Sequence, residues 1–98
     1  MYSEDVAFEL LKARMDRPGL KVQPALERYW KQRLSGAVKE LESKGIKWDT
    51  EENSLNDNIL IADYTAYKIR NRDESGEMPK WLRIELRERA FRVNPDVL

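Results

Sequence analysis

Three groups of side chains in this 98-residue chain have the types and spacing to do chemistry. Asp49, Glu51, Glu52 and Asn53 gather oxygen donors in one short loop, which suits a hard cation such as calcium. The loop lacks the glycine and the distal glutamate of an EF-hand, so a solvated loop is the better reading. Asp63 is an acid inside the most apolar stretch of the chain. A carboxylate there needs a partner or a raised pKa. It is a candidate buried ion-pair acid held by an arginine; an exposed rim position is the alternative. As an acid catalyst it has no His, Cys or second inward acid beside it. Lys80, Arg83 and Arg87 recur at i, i+3 and i+7 on one helical face. With Arg70 and Arg72 they make a basic surface suited to phosphates. Glu85 and Glu88 on the same helix favour a solvated or subunit-pairing face instead.

Composition narrows the chemistry further. Cys and His are both absent, which removes disulfides, thiolate nucleophiles and the commonest general base and metal ligand. The expectation is therefore no catalytic residue, no metal, no cofactor and no enzyme activity. Net charge is zero, so there is no bulk attraction to nucleic acid or membrane. The charge is unevenly placed: residues 1–67 carry 10 basic and 12 acidic side chains (−2), and residues 68–92 carry 8 and 5 (+3). No apolar run approaches the roughly 20 residues of a membrane span. The N-terminus is acidic at its start, unlike a signal peptide. Hydrophobic residues at 41% and charged residues at 37% fit an ordered helical domain better than a disordered chain. The length sets one domain, 1–98, with 93–98 expected as a mobile tail.

The elements that position these groups read as helices. Ser3 is a candidate N-cap, and Val6, Leu10, Leu11 and Met15, with Phe8, predict a first helix to about Arg17. Pro18-Gly19 stops it. Pro24 suits the first position of a second helix with the stripe Leu26, Trp30, Leu34, Ala37 and Leu41. Gly36 falls inside that helix, where it permits a close backbone approach or marks a bend. Gly45 is expected as its left-handed cap. Ser54 caps a third helix, with Asp57 as a shortened capping box. Leu55, Ile59, Ala62, Ala66 and Ile69 form its stripe, and Leu60, Ile61, Tyr64 and Tyr67 widen it until the helix is apolar nearly all round. Such a helix is surrounded by neighbours or other subunits. Pro79 opens a fourth helix with two adjoining stripes, Leu82, Leu86, Ala90 and Val93, then Trp81, Ile84 and Phe91.

The predicted class is thus all-α, a small bundle of about four helices joined by short loops. Trp30, Leu34, Ile59, Ala62, Ala66, Ile69, Leu82 and Leu86 are the candidate core. Trp81, Ile84, Arg83, Arg87 and Phe91 are the candidate subunit or partner interface. Trp30, Trp48 and Trp81 serve better as core or contact anchors than as stacking platforms.

The segment 57–73, DNILIADYTAYKIRNRD, resembles the L-x-A-D-Y-A-A-Y-x-Y-R-x-R helix of small phage head–tail connector proteins. Met78-Pro79-Lys80-Trp81-Leu82-Arg83 is similar to the sequel in that family, and the upstream stretch from Leu34 to Ile46, with its A-x-x-E-L-x-x-x-G-I pattern, is also similar to it. The likeness spans about residues 5–92. Thr65 stands where the family commonly has a small apolar residue, and the first helix lacks the family's Leu-rich opening.

The resemblance implies a helical, non-enzymatic subunit of a long-tailed double-stranded DNA phage or prophage. Such subunits assemble as a homo-oligomeric ring under the portal and join the filled head to the tail. DNA passes through the bore without sequence-specific binding, and no membrane is involved. The implied location is the virion, after assembly in the bacterial host cytoplasm. The alternative reading is a small helical nucleic-acid-binding or regulatory module using the basic surface of residues 70–92.

Overall fold

A computed structural model describes residues 1–15, 23–71 and 78–93, with side chains as far as Arg89. Every regular element among them is a helix: α1 (Glu4–Arg14), α2 (Pro24–Ser43), α3 (Leu55–Arg70) and α4 (Lys80–Val93). The protein is an all-α bundle of four helices. The expected stop at Pro18-Gly19, Arg72, the loop 73–77 and the tail 94–98 lie outside the described residues, as do the side chains of Ala90, Phe91 and Val93.

Local chemistry sets the helix ends. The Ser3 hydroxyl accepts from the Val6 N–H, and Glu4 and Asp5 occupy the first turn, where acids offset the helix dipole. α1 ends at Arg14, with the Met15 N–H shared between the carbonyls of Leu11 and Lys12; Asp16 and Arg17, the rest of the expected helix, lie outside the described residues. Pro24 opens α2 without a side-chain cap. Its far end is a Schellman turn. Gly45 sits at φ 89°, its N–H bonds the Glu42 carbonyl, and the Ile46 N–H reaches back to Leu41 at 3.1 Å. Leu41 and Ile46 are both buried, which supplies the apolar contact of that motif. Gly36 permits no close approach after all: nothing lies within 4 Å of where its Cβ would be.

α3 is the central helix. Ser3 of α1's start bonds Asn58, whereas Arg14 at α1's end bonds Asp63 and accepts from Arg70, so α1 runs parallel to α3. α4 runs the other way. Trp81 lies near Ala66 and Arg70, and Arg89 reaches Asp57. α2 crosses both of its neighbours, with Lys31 over the Phe8 ring of α1 and Glu40 at Tyr64 and Lys68 of α3. The core joins Ala7, Phe8 and Leu11 to Trp30, Leu34, Ala37, Val38 and Leu41. From α3 it adds Leu60, Ile61, Ala62, Tyr64 and Ala66, and from α4 Leu82.

Of the candidate core, Trp30, Leu34, Ala62, Ala66 and Leu82 are buried; Ile69 and Leu86 pack half-buried at the edge. Ile59 is not in the core but half-buried outside it, and Leu55 and Leu26 are exposed. The inward face of α3 is turned relative to the apolar stripe, because Asp57, Asn58 and Thr65 are buried instead. Each is polar yet satisfied. Thr65 donates to the Ile61 carbonyl one turn back at 2.6 Å, and Asp57 and Asn58 have distant partners described below.

Candidate functional site

The outer face of α4 gathers the residues with most to offer a partner. At about 100° per residue, Arg83, Arg87, Lys80, Ile84 and Trp81 lie around one arc, with exposed Glu88 between Ile84 and Trp81, while Leu82, Leu86 and Arg89 occupy the other side. All five of the arc residues are exposed, Trp81 at 57% and Ile84 at 45%. None of the three cations is in an ion pair among the described residues. Trp30 is in the core and Trp48 is half-buried, edge-on to Tyr2 with its indole N–H on Glu42. Trp81 is thus the one tryptophan free to act as a contact anchor. Phe91's side chain is outside the described residues.

At the N-terminal end of α4 this arc borders a groove of about 360 Å³. Arg14 of α1, Asp63, Ala66, Tyr67, Arg70 and Asn71 of α3 and its end, and Pro79 and Trp81 line it. Asp63 does pair with an arginine: its carboxylate meets Arg14, another lining residue, at 2.5 Å. Arg14 is half-exposed, so solvent screens the pair and its contribution is small. Arg70 donates to the Arg14 carbonyl and remains exposed.

The fully buried ion pair lies elsewhere. Asp57 is 0% exposed and Arg89 2%. The Arg89 guanidinium donates to Asp57 Oδ1 at 2.6 Å and to Glu85 at 3.0 Å. Burial alone would lower the Arg89 pKa, but the bonds to Asp57 and Glu85 and the charges of Asp57 and Asp49 outweigh it and hold the guanidinium above its ordinary value. Asp57 Oδ2 accepts the Asp49 N–H at 2.8 Å and faces the Met1 ammonium at 3.2 Å. Asp57 therefore does not close a capping box on Ser54; the Ser54 N–H bonds the Met1 carbonyl instead. The Ser54 hydroxyl caps the Asp57 N–H and donates to the Asp49 carboxylate. Asn58 accepts from the Ser3 N–H and donates to Asn53, whose backbone is left-handed at φ 53°. One polar cluster thus ties the chain's first residues, the 46–54 connection, α3 and α4 together. One arginine atom, Nη2 of Arg89, is buried there without a partner.

The loop weighed for calcium is spent on this cluster. Its Asp49 and Glu51 carbonyls accept from the Met1 ammonium, and Asp49's carboxylate accepts from Ser54. Among the described residues no group of three carboxylates, histidines or cysteines converges.

A second polar site joins α2 to α3. The Tyr64 hydroxyl donates to Glu40 at 2.8 Å, and Lys68 and Lys44 flank the same carboxylate. Burial, then the Glu40 bond and charge, push the Tyr64 phenol well above its ordinary range. Burial would raise Glu40, but the Tyr64 hydroxyl, Lys68 and Lys44 together hold it below the usual carboxylate value. The arrangement is a structural staple: the phenol is locked neutral and the carboxylate locked charged.

Sequence reasoning reached Arg83, Arg87, Trp81 and Ile84 but missed Asp57 and Arg89. The available signal was Arg89's place seven residues after Leu82 and three after Leu86, on the inward stripe. Comparison with protein-family models, curated proteins and solved structures returns no match to this chain.

Proposed function

We propose that the protein is a structural subunit of a phage or prophage head–tail connector, assembling with copies of itself into a ring between the portal and the tail. The observation that carries this reading is the outer arc of α4. It presents Trp81 and Ile84 to solvent beside Lys80, Arg83 and Arg87, outside the buried core. An aromatic anchor rimmed by cations is the composition of a protein contact. The likeness of residues 57–73 and 78–83 to the connector family supplies the kind of assembly. The role is mechanical rather than catalytic: the ring holds its neighbours and lets DNA pass without reading its sequence. Portal and tail-side proteins are the partners, and the virion is the location.

Sedimentation over a wide concentration range, repeated with a portal ring present, tests this. A closed oligomer of one size under either condition is expected. A strict monomer under both would reject the ring.

Lys80, Arg83 and Arg87, exposed on one face and in no ion pair among the described residues, favour a second reading, a nucleic-acid-binding module. Neutralising three phosphates would give a salt slope of roughly −3 on log–log axes. Micromolar DNA binding with that slope, lost in Arg83→Glu with Arg87→Glu, would replace the ring by this reading.

A further inference from the structure

A second cleft, of about 230 Å³, lies between α2 and α3. Gln32, Arg33, Gly36, Ala37 and Glu40 of α2 and Lys68 of α3 line it. Packing gives no reason for a glycine at 36. Glycine inside a helix is less stable than alanine, and nothing lies within 4 Å of where its Cβ would stand. What the missing side chain leaves is room. Gly36 is exposed on the cleft wall, and a larger residue there would grow into open space.

The donors around that space are short of acceptors. Arg33 is half-buried, in no ion pair among the described residues, and its Nε is buried without an acceptor. Its guanidinium carbon stands 5.7 Å from the centre of the Tyr29 ring, which steadies the head at the wall. A guanidinium held this way presents a fork of N–H groups suited to an oxyanion. Lys68 brings an ammonium from the other helix, and Gln32 an exposed amide. Glu40 is the carboxylate of the lining. The Tyr64 hydroxyl, Lys68 and Lys44 already meet its charge, and Arg33 does not bond it. The other acids of α2 are engaged elsewhere, Glu27 with Lys31 and Glu42 with the Trp48 indole.

Three donor groups around one space suit a ligand with three acceptor oxygens. A terminal phosphate has three, whereas a carboxylate or a backbone phosphodiester has two free oxygens. We propose that this cleft binds a phosphate group with three free oxygens, as the inorganic ion or as a phosphomonoester. The Arg33 fork takes two oxygens and Lys68 the third. Gln32 closes the open side, and Gly36 keeps the space clear. The site is separate from the outer arc of α4 and does not depend on the ring reading.

The test is a titration of isotope-labelled protein followed by nuclear magnetic resonance at constant ionic strength. The probes are sodium phosphate and glycerol phosphate. Saturable shifts are expected at the amides of residues 32–40 and at Lys68. The tighter of the two probes tells the free ion from the monoester. Arg33→Gln should weaken binding at least tenfold. Gly36→Leu should do the same while melting no lower than the parent, since leucine is the better helix former. A purely structural glycine would not separate binding from stability in this way. Arg28→Gln, exposed on α2 but outside the lining, should change binding by less than about threefold. No saturable shift with either probe overturns the site. Equal losses in Arg28→Gln and Arg33→Gln overturn it in favour of general charge attraction. Binding that survives Gly36→Leu overturns the role of the glycine and the placement of the ligand. Duplex DNA without terminal phosphates that binds here more tightly than glycerol phosphate overturns the three-oxygen ligand.

Discussion

Removing either partner of the Asp57–Arg89 pair should unfold this protein more readily than any surface change. The two side chains are 0% and 2% exposed, so neither charge can turn to water when its partner is lost. Breaking a buried pair from one side costs about 3–5 kcal/mol. Arg89→Met leaves Asp57 with the Asp49 N–H and the Met1 ammonium, which places it near the lower end, about 3 kcal/mol. Asp57→Asn leaves the arginine with half-exposed Glu85 and an Nη2 already without a partner, so about 4 kcal/mol is expected. Independent effects would sum to about 7 kcal/mol, most of the stability of a domain this size. Acting as a pair, the double variant should cost only about 4 kcal/mol, a coupling of about 3 kcal/mol. Urea titration followed by circular dichroism measures all four corners of the cycle, and each single variant should melt at least about 12 °C lower. A coupling below about 0.5 kcal/mol, or single variants within about 1 kcal/mol of the parent, would refute the pairing and the docking of α4 that depends on it.

Gly36→Ala should raise stability by about 0.5–1 kcal/mol, since its Cβ meets only solvent and helix propensity improves. Gly45→Ala should lower it by about 1 kcal/mol, because φ 89° is strained for any side chain; the two melts together check the helix-end assignment. Tyr64 favours its neutral form in the fold, so its contribution is fully present below pH about 10 and is lost as pH rises beyond it. Unfolding at alkaline pH should coincide with ionisation of this phenol by ultraviolet absorbance, and in Tyr64→Phe that pH dependence should shrink. Trp81→Ala should leave monomer stability within about 0.5 kcal/mol while weakening self-association, as measured by melting and light scattering on the same sample.

The helix boundaries were legible because their causes are local. Ser3, Pro24, Gly45 and Ser54 each act within a turn of their own position, and each does so in the structure. Periodicity found the inward face of α2, Leu26 excepted, and, among the described side chains of α4, Leu82 and Leu86. It misjudged α3, where Asp57, Asn58 and Thr65 face inward and Leu55 and Ile59 do not. A pattern of apolar residues counts a polar side chain as outward. Asp57 faces in because Arg89 arrives from 32 residues away, and Asn58 because Ser3 arrives from 55 residues away. Arg89 bonds Glu85, one turn earlier on its own helix, at the i,i+4 spacing that a sequence displays. Its bond to Asp57 is not visible at helical spacing. The exposed arc of α4 was readable as a second stripe beside Leu82 and Leu86. The groove at its end was not, since it needs the ends of α1, α3 and the start of α4 brought together.

Native mass spectrometry at rising protein concentration tests the central claim most directly, because it counts the copies in each species. A head-to-tail subunit should pass from monomer to a single closed species of more than two copies, and Trp81→Ala should hold it at monomer. A largest species of two copies, or a distribution that is the same with and without Trp81, would contradict it.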